Sequence, residues 1–292
     1  MIDQKQFLPG RRHALRLLGA SVGVAALPAL AQGARLPRLI TVSGAITEVV
    51  YLLGAEAQLV GTDTTSLYPA AALQTPKVGY MRQLSAEGLL SLKPDAVIAT
   101  SESGPPVVLD QVRSAGVKVE LVVADHTWGE VQRKVQAVGR AASRETQARE
   151  LQAKLDDQWA AVHKRVGAAG GRKPRVLFVL AHSASPQVSG EQTAANAVIQ
   201  FAGGVNCLSG FQGYRPMTAE AMASAAPDII LTSTQGVEAQ GGIDKFWQRP
   251  ELALTPAYRK RALITQDALL LLGFGPRMPA SIGELHGKFL AA

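Results

Sequence analysis

The stretch LSAEGLLSLKPDAVIATS at residues 84–101 returns as MTAEAMASAAPDIILTST at residues 217–234, at a constant offset of 133 residues. In each copy a short run of helix-forming residues leads to Pro-Asp and then to β-branched and apolar residues typical of a buried strand. Upstream of each copy lies another apolar strand pattern, followed by an apolar helix that ends in glycine. Each half of the chain thus alternates strand, helix, strand, helix and strand, which predicts a parallel sheet covered by helices.

The segment between the two halves has no strand pattern and is dense in strong helix formers. Thr127 and Glu130 have the spacing of a capping box at its start. Four apolar residues recur at three- and four-residue spacing, which predicts one packed helix face: Leu151, Leu155, Trp159 and Val162. The segment is therefore expected to be a helix that packs along one face.

These patterns predict an α/β fold with two similar Rossmann-like lobes joined by a single long α-helix. We place an N-terminal α/β lobe at residues 32–143, the linking helix at 144–168 and a C-terminal α/β lobe at 169–292. A rigid helix between two like lobes leaves a cleft of nearly fixed width. Open α/β sheets bind ligands beyond the carboxyl ends of their strands, so the cleft is the expected ligand site.

The first 31 residues have the pattern of an export signal. Arg11 and Arg12 precede the run LLGASVGVAALPALA, which is too short to span a bilayer comfortably. The run ends in the small-residue pattern Ala29-Leu30-Ala31, so cleavage after Ala31 is expected, by the general secretory or the twin-arginine route. An uncleaved anchor is a third option. The expected location is the periplasm.

Charge and cysteine content exclude several classes of function. Removing the export signal lowers the net charge from +7 to +4. No basic block interleaved with aromatic residues is present, so nucleic-acid binding is not expected. Cys207 is the single cysteine, which excludes an internal disulfide and a Cys/His cluster for zinc.

Tyr80 and Arg82 stand just before the helix pattern of the first repeat. The phenol of tyrosine has a pKa of about 10 in water, but a ferric ion or a nearby guanidinium favours the phenolate. Arg82 could also grip a carboxylate with two parallel hydrogen bonds. The pair would suit an iron porphyrin with propionates. The alternative is that Tyr80 packs on the lobe surface and Arg82 is solvated.

Four phrases resemble the periplasmic haemin-binding proteins of bacterial haem ABC importers, which are class III substrate-binding proteins with a helical backbone: VGYMRQLSAEGLLSLKPDAVIAT, GEQTAANAVIQFAGG, GYRPMTAEAM and LGFGPRMPASI. The resemblance covers the whole mature chain. It implies that haem is the transported ligand, that Tyr80 is a tyrosinate ligand of the iron, and that the protein is not an enzyme. It further implies a monomer that delivers haem to an inner-membrane permease dimer, downstream of an outer-membrane haem receptor system.

In the class that the chain resembles, one glutamate on each lobe docks into an arginine-rich pocket of a permease subunit. Glu87 and Glu220 match these positions, since each lies seven residues before a Pro-Asp pair. The alternative is that both are helix-start residues that complement the helix dipole and nothing more.

Four further residues are candidates for the haem site. His182 follows the strand pattern RVLFVLA, where it either ligates the iron opposite Tyr80 or is a plain loop histidine. Tyr214 and Arg215 are the second-lobe counterparts of the Tyr80 motif and either line the cleft or pack. Arg277 is a propionate partner or a loop cation. Three other histidines lie beside or on predicted helices at surface-like positions and are interpreted as structural: His126, His163 and His286.

Three other functions remain open from the residues. A binding protein for a ferric siderophore or a corrinoid would share the fold. A secreted hydrolase is disfavoured because Ser183, Ser185 and His182 form no nucleophile elbow. A free-standing haem scavenger would share the haem site but would need no docking glutamates.

Overall fold

Four parallel strands form the sheet of the first half in a computed structural model that describes residues 35–181 and 186–292. The strands are β1 Leu39–Val42, β2 Leu59–Thr62, β3 Ala96–Thr100 and β4 Lys118–Val122, in the order β2-β1-β3-β4. The helices are α1 Gly44–Leu52, α2 Ala86–Ser91, α3 Pro106–Ser114 and α4 Trp128–Ala141, with 3-10 turns at Glu56–Gln58 and Ala70–Gln74. Every residue of β1 and β3 is buried, as expected for a sheet covered on both faces.

The second half contains a mixed sheet. Its strands are β5 Arg175–Leu180, β6 Gln187–Ser189, β7 Val205–Asn206, β8 Tyr214–Pro216, β9 Ile229–Ser233 and β10 Leu263–Gln266. Its helices are α6 Ala194–Phe201, α7 Ala219–Ala225, α8 Thr234–Ala239, α9 Ile243–Trp247, α10 Pro256–Lys260, α11 Ala268–Leu272 and α12 Met278–Ala291, with a 3-10 turn at Pro250–Leu252. The strand order is β10-β9-β5-β6-β8, and β7 also pairs with β5.

The two-lobed α/β fold is confirmed, but the expectation of a wholly parallel second sheet is wrong. Strands β7, β9 and β10 run parallel to their neighbours, whereas β6 pairs with β5 and with β8 in antiparallel fashion. Only six residues separate β5 from β6. A connection of that length closes a hairpin, while a parallel pair needs a crossover of a dozen or more residues.

The repeated Pro-Asp pair holds the same strand junction in both halves. The backbone N–H of Arg38, just before β1, donates to the Asp95 carboxylate at 2.7 Å. In the second half, Arg175 at the start of β5 donates in the same way to Asp228 at 2.9 Å. Each arginine side chain also donates to a backbone carbonyl at the end of the repeat's own helix. We call this set of hydrogen bonds the arginine–aspartate clamp. In each half it joins the first strand to the helix and strand of the sequence repeat.

The segment between the lobes forms two helices. Helix α4 ends at Ala141, and α5 spans Glu145–Ala168 after a break at which Ser143 takes a φ of 54°. The predicted linking helix at 144–168 coincides with α5, while the division of the chain into lobes at its ends stays a prediction. None of the helices in residues 35–181 and 186–292 combines the length and hydropathy needed to cross a membrane.

Helix α5 packs against the cores of both halves through the predicted face. Leu155 lies in the core of the first half and Val162 in that of the second. Trp159 stacks on Trp128 with ring centroids 4.9 Å apart and meets Phe201 edge-on at 5.0 Å. Since offset and edge-on aromatic pairs add to the gain from burial, this column joins the linking helix firmly to its neighbours.

The predicted capping box at the start of α4 is wrong. The Thr127 hydroxyl donates to Asp125 at 2.7 Å and makes no cap to the helix. The Glu130 carboxylate accepts the backbone N–H of His126 at 2.9 Å and also binds Lys134. Glu130 is only 3 % exposed, and its charge is paired inside the protein with buried Lys134, one helical turn away.

Lys134 joins the two lobes. Its side chain is 1 % exposed, and its Nζ donates to Glu130 Oε1 at 2.6 Å, to the Gly273 carbonyl at 2.8 Å and to the Phe274 carbonyl at 3.0 Å. Burial lowers the pKa of Lys134, and the charge of Glu130 opposes that shift. A buried ammonium is tolerated only when it is paired and its hydrogens are bonded, as they are here. The first lobe is thereby bonded to the segment between α11 and α12.

We predict that Lys134→Met lowers the free energy of unfolding by about 3–5 kcal/mol, because it leaves the buried Glu130 carboxylate without its cation and removes the donor to two carbonyls. Urea unfolding of Lys134→Met and of the matched exposed variant Lys154→Met measures the effect. Adding Glu130→Gln to Lys134→Met should recover part of the loss. Equal stability of the Lys134 and Lys154 variants would contradict this role for Lys134.

Candidate functional site

Tyr80 lies where the carboxyl ends of two strands meet. Its segment is bonded on one side to the turn after β2, since Thr64 N donates to the Gly79 carbonyl at 2.9 Å. On the other side Gly104 N, in the loop after β3, donates to the Met81 carbonyl at 2.9 Å. Gly79 takes a φ of +106°, a conformation that L side chains rarely adopt, so the turn into Tyr80 favours glycine. The Tyr80 side chain is 40 % exposed at this edge.

Arg82 bridges Tyr80 and a carboxylate from the neighbouring loop. One terminal nitrogen of the guanidinium donates to Tyr80 Oη at 3.0 Å, and the other donates to Glu102 Oε2 at 2.5 Å. Partial burial lowers the pKa of Arg82, but the hydrogen bond to Tyr80 and the charge of Glu102 outweigh it and raise that pKa. The structure thus brings the two predicted residues into contact, with the permanent positive charge of the guanidinium next to the phenol oxygen.

His126 lies behind Glu102, in the loop after β4. Its Nε2 is 3.8 Å from Glu102 Oε1 and its Nδ1 is 3.9 Å from Glu130 Oε2. Its ring centroid is 5.4 Å from that of Phe274, a residue of the second lobe. With a side chain only 21 % exposed, His126 is not the surface residue that the sequence suggested. It connects the Arg82–Glu102 pair to the buried junction between the lobes.

The expectation of a surface position is also wrong for His286. It is 5 % exposed, and its Nδ1 is 3.0 Å from the Ala202 carbonyl inside the second lobe. The expectation is right for His163, which is exposed on α5 beside Trp159.

Tyr214, the second-lobe counterpart of Tyr80, is the first residue of β8. It is partly buried against the core of that lobe. Burial raises the pKa of Tyr214 to about 12; the charge of Glu102 adds to this rise, while Arg82 and a hydrogen bond with Thr193 oppose it. Tyr214 therefore remains a neutral phenol near pH 7. Its contact with the core shows that Tyr214 packs in the second lobe, and its place at the cleft stays a prediction.

The two other predicted cations of the second lobe differ in their surroundings. Arg215 is exposed, and its guanidinium lies 4.4 Å from the ring centroid of Phe211. Arg277 instead crosses to the first lobe: its Nε donates to Glu48 Oε1 at 2.8 Å, and its guanidinium lies 3.6 Å over the ring of Tyr68. Arg277 is therefore not a solvated loop cation.

Glu48, the partner of Arg277, is only 3 % exposed. Burial raises the pKa of Glu48, and Arg277 opposes that rise. The Nη2 of Arg277 is buried and has no hydrogen-bond partner in the described part of the chain. The pair is a second polar link between the lobes, after Lys134.

Glu87 and Glu220 occupy equivalent exposed positions in the first turns of α2 and α7. In each helix the N-cap is the residue two positions before the glutamate. The Ser85 hydroxyl accepts the Gly88 N–H at 3.1 Å, and the Thr218 hydroxyl accepts the Ala221 N–H at 3.3 Å. Since the caps are made by hydroxyls, neither glutamate is needed to close the helix end, and both carboxylates face solvent.

Several predicted features lie outside the described residues: His182, the Arg11-Arg12 pair and the cleavage position at Ala31. Two surface cavities, of about 330 and about 640 Å³, flank the edge strand β10 and include none of the predicted site residues. The larger one is lined in part by Trp247, Tyr258 and Arg261. The candidate site is instead the cluster of Tyr80, Arg82 and Glu102 at the ends of the strands.

Sequence reasoning missed Glu102, Tyr68 and Glu48. A signal existed for Glu102, which is the second residue after the strand AVIAT and so lies near the carboxyl edge of the sheet. Nothing local marks Tyr68 or Glu48, whose partner Arg277 is more than 200 positions away along the chain.

Solved structures of known proteins share this fold. The haem-binding protein BhuT, solved in complex with two haems, is 44 % identical, with a TM-score of 0.82 over 87 % of this chain and 97 % of that one. The haem-binding protein RhuT from Roseiflexus sp. RS-1, solved in apo form, is 35 % identical, with a TM-score of 0.83 over 88 % and 98 %. The haem-binding protein HutB of Vibrio cholerae is 31 % identical, with a TM-score of 0.75 over 86 % and 98 %.

Relatives found by sequence are more distant. The vitamin B12-binding protein of Vibrio cholerae is 25 % identical over 217 residues, which are 72 % of this chain and 75 % of that protein. The ABC transporter substrate-binding lipoprotein YvrC of Bacillus subtilis, itself uncharacterised, is 26 % identical over 85 % of this chain and 78 % of that protein. Residues 39–269 match the model of the periplasmic binding protein family. The chain belongs to the periplasmic binding protein family.

Proposed function

We propose that this protein captures ferric haem in the cleft between its lobes and delivers it to an ABC transporter in the inner membrane. The observation that carries the proposal is the exposed residue Tyr80 at the strand ends, with Arg82 donating to its hydroxyl at 3.0 Å. The haem-binding proteins BhuT, RhuT and HutB, at 31–44 % identity over nearly their full lengths, support the same ligand.

The chemistry of Tyr80 suits ferric iron. A phenolate is a hard anionic oxygen, and tyrosine is an established axial ligand of haem iron. The guanidinium of Arg82 favours the anion by a charge-assisted hydrogen bond. Leu67 and Tyr68 are 50 % and 45 % exposed on the loop after β2, to which the Tyr80 segment is bonded. Exposed apolar surface of this kind suits a flat apolar macrocycle.

The proposal includes His182 as a second iron ligand on the face opposite Tyr80. Tyr214, Arg215 and Arg277 complete the proposed haem site from the second lobe. Arg277 already bonds to Glu48 of the first lobe, and the neutral phenol of Tyr214 can donate a hydrogen bond. Tyr80 has the best chemical support as an iron ligand, because the residue is exposed and the Arg82 guanidinium donates a hydrogen bond to its oxygen.

The transport role rests on the family and on the two exposed glutamates. We propose that the mature chain begins after about Ala31, following export by the Sec or Tat route, and acts in the periplasm as a monomer without catalytic activity. Glu87 and Glu220 would dock with the two subunits of the permease, since a pseudo-twofold ligand fits a twofold partner. An outer-membrane receptor system would supply haem upstream.

A corrinoid or ferric siderophore is the alternative ligand. The similarity to a vitamin B12-binding protein is compatible with it, at the lower identity of 25 %. Such ligands do not require a protein phenolate, so the Tyr80–Arg82 contact favours haem. Competition of cyanocobalamin with haemin for the purified protein would separate the two.

We predict that Tyr80→Phe weakens ferric haem binding by at least about tenfold and abolishes the charge-transfer band of phenolate-bound haem, because the iron loses its anionic ligand. Absorption titration with haemin measures both and also gives the number of haems bound. Tyr258→Phe, in α10 of the second lobe, is the matched control and should behave as wild type. A Tyr80→Phe spectrum identical to that of wild type would refute the assignment.

For His182 the expected result is a change of spin state. If its imidazole ligates the iron, His182→Ala converts a low-spin or mixed ferric spectrum to a five-coordinate high-spin one. Electron paramagnetic resonance of the two proteins with haem distinguishes these states. A wild-type complex that is already purely high-spin and five-coordinate would show that the histidine is not a ligand.

Glu87→Lys and Glu220→Lys should leave haem binding intact and impair delivery, with the double variant worse than either single one. The effect should appear in docking rate and salt dependence, because exposed charge pairs act mainly through steering. Haem uptake into vesicles that contain the transporter measures it, with Glu150→Lys on α5 as the charge-matched control. Normal uptake with the double variant would instead support a free-standing haem scavenger.

A further inference from the structure

The Arg82 guanidinium already has both terminal nitrogens engaged. Nη1 donates to Tyr80 Oη at 3.0 Å and Nη2 donates to Glu102 Oε2 at 2.5 Å. An arginine that grips a carboxylate in the strongest way uses two parallel N–H donors directed at the same group. Here those donors are divided between a phenol and a carboxylate of the protein. A haem propionate could take the end-on grip through both terminal nitrogens only by displacing one of these two partners.

Glu102 is held in place by the loop that carries it. In that loop Ser103 N donates to the Thr100 carbonyl and Gly104 N donates to the Met81 carbonyl, both at 2.9 Å. The Gly104 carbonyl in turn accepts the Leu84 N–H at 2.9 Å. The backbone on both sides of Arg82 is therefore bonded to the loop of Glu102, which fixes the separation of the two charged groups.

The second carboxylate oxygen of Glu102 lies near His126. His126 Nε2 lies 3.8 Å from Glu102 Oε1, and the backbone N–H of His126 donates to Glu130 at 2.9 Å. Glu130 is bound to the buried Lys134. A chain of contacts through His126 and Glu130 thus links Glu102 to Lys134 at the junction between the lobes.

This ion pair is too exposed to matter much for stability. The side chains of Arg82 and Glu102 are 52 % and 37 % exposed, and pairs of this kind contribute little to the free energy of folding. What the pair does provide is orientation, because a free arginine side chain loses considerable rotamer entropy when it is fixed. Glu102 fixes it before any ligand arrives.

We propose that Glu102 is a positioning residue that holds the Arg82 guanidinium on the Tyr80 oxygen and keeps it away from the propionates of the ligand. This inference rests on the proposed function, since it concerns the same site. It assigns Arg82 to the iron–phenolate bond, where its charge acts on the ligand oxygen. It leaves the propionates to other cations or to solvent.

The test compares haemin with haemin dimethyl ester, whose propionates carry no charge, in wild type, Arg82→Ala, Glu102→Ala and Glu102→Gln. Arg82→Ala should weaken both ligands by the same factor of about ten, as expected for loss of one hydrogen bond to a charged oxygen. It should also shift the phenolate charge-transfer band. Glu102→Ala should shift that band in the same direction and add nothing further in an Arg82→Ala background.

Glu102→Gln should restore a band close to that of wild type, because its amide oxygen still accepts from Arg82. Asp110→Ala, which breaks the exposed Asp110–Arg113 pair on α3, is the control for the loss of one surface carboxylate and should leave the band unchanged.

Two results would overturn the inference while leaving the proposed function intact. One is an Arg82→Ala protein that loses affinity for haemin but not for the dimethyl ester, which would make Arg82 a propionate clamp. The other is a charge-transfer band that Glu102→Ala leaves unchanged. A wild-type protein with no phenolate band would refute the proposed function itself, and the role of Glu102 with it.

Discussion

The buried ammonium of Lys134 is the interaction on which the arrangement of the two lobes depends. It bonds a carboxylate of its own helix and two carbonyls of the other lobe. Since the partner carboxylate, Glu130, also holds the backbone of His126, the same buried pair supports the loop that faces Glu102. One desolvated ion pair therefore supports both the junction between the lobes and the loop of His126 beside Glu102.

The two lobes share an order of strands and helices but differ in the side chains near the candidate site. Their common features are the clamp by Asp95 or Asp228 on the neighbouring strand and an exposed glutamate after a hydroxyl cap. The two lobes differ in the surroundings of their tyrosines, because Tyr80 is exposed beside the Arg82 guanidinium while Tyr214 is partly buried and its pKa is raised to about 12. The proposed function accounts for both features, since the proposed iron ligand Tyr80 belongs to one lobe while a twofold permease would need one docking glutamate on each lobe.

Patterns of short range could be predicted from the sequence. They include the alternation of strands and helices, the packed face of α5 and the proximity of Tyr80 to Arg82, which are only two residues apart. The antiparallel pairing of β6 could have been predicted from its short connection to β5. The contacts of Lys134 with carbonyls 139 and 140 positions away could not, because nothing in the local sequence marks which carbonyl a buried cation will meet.

The central claim is that a tyrosinate of this chain binds ferric iron in the cleft. Resonance Raman spectroscopy of the ferric haem complex, excited in its charge-transfer band, tests it most directly when protein with ordinary tyrosine is compared with protein that carries ring-deuterated tyrosine. The account predicts iron-bound phenolate modes that shift on deuteration. A spectrum without such modes, or one that deuteration leaves unchanged, would contradict it.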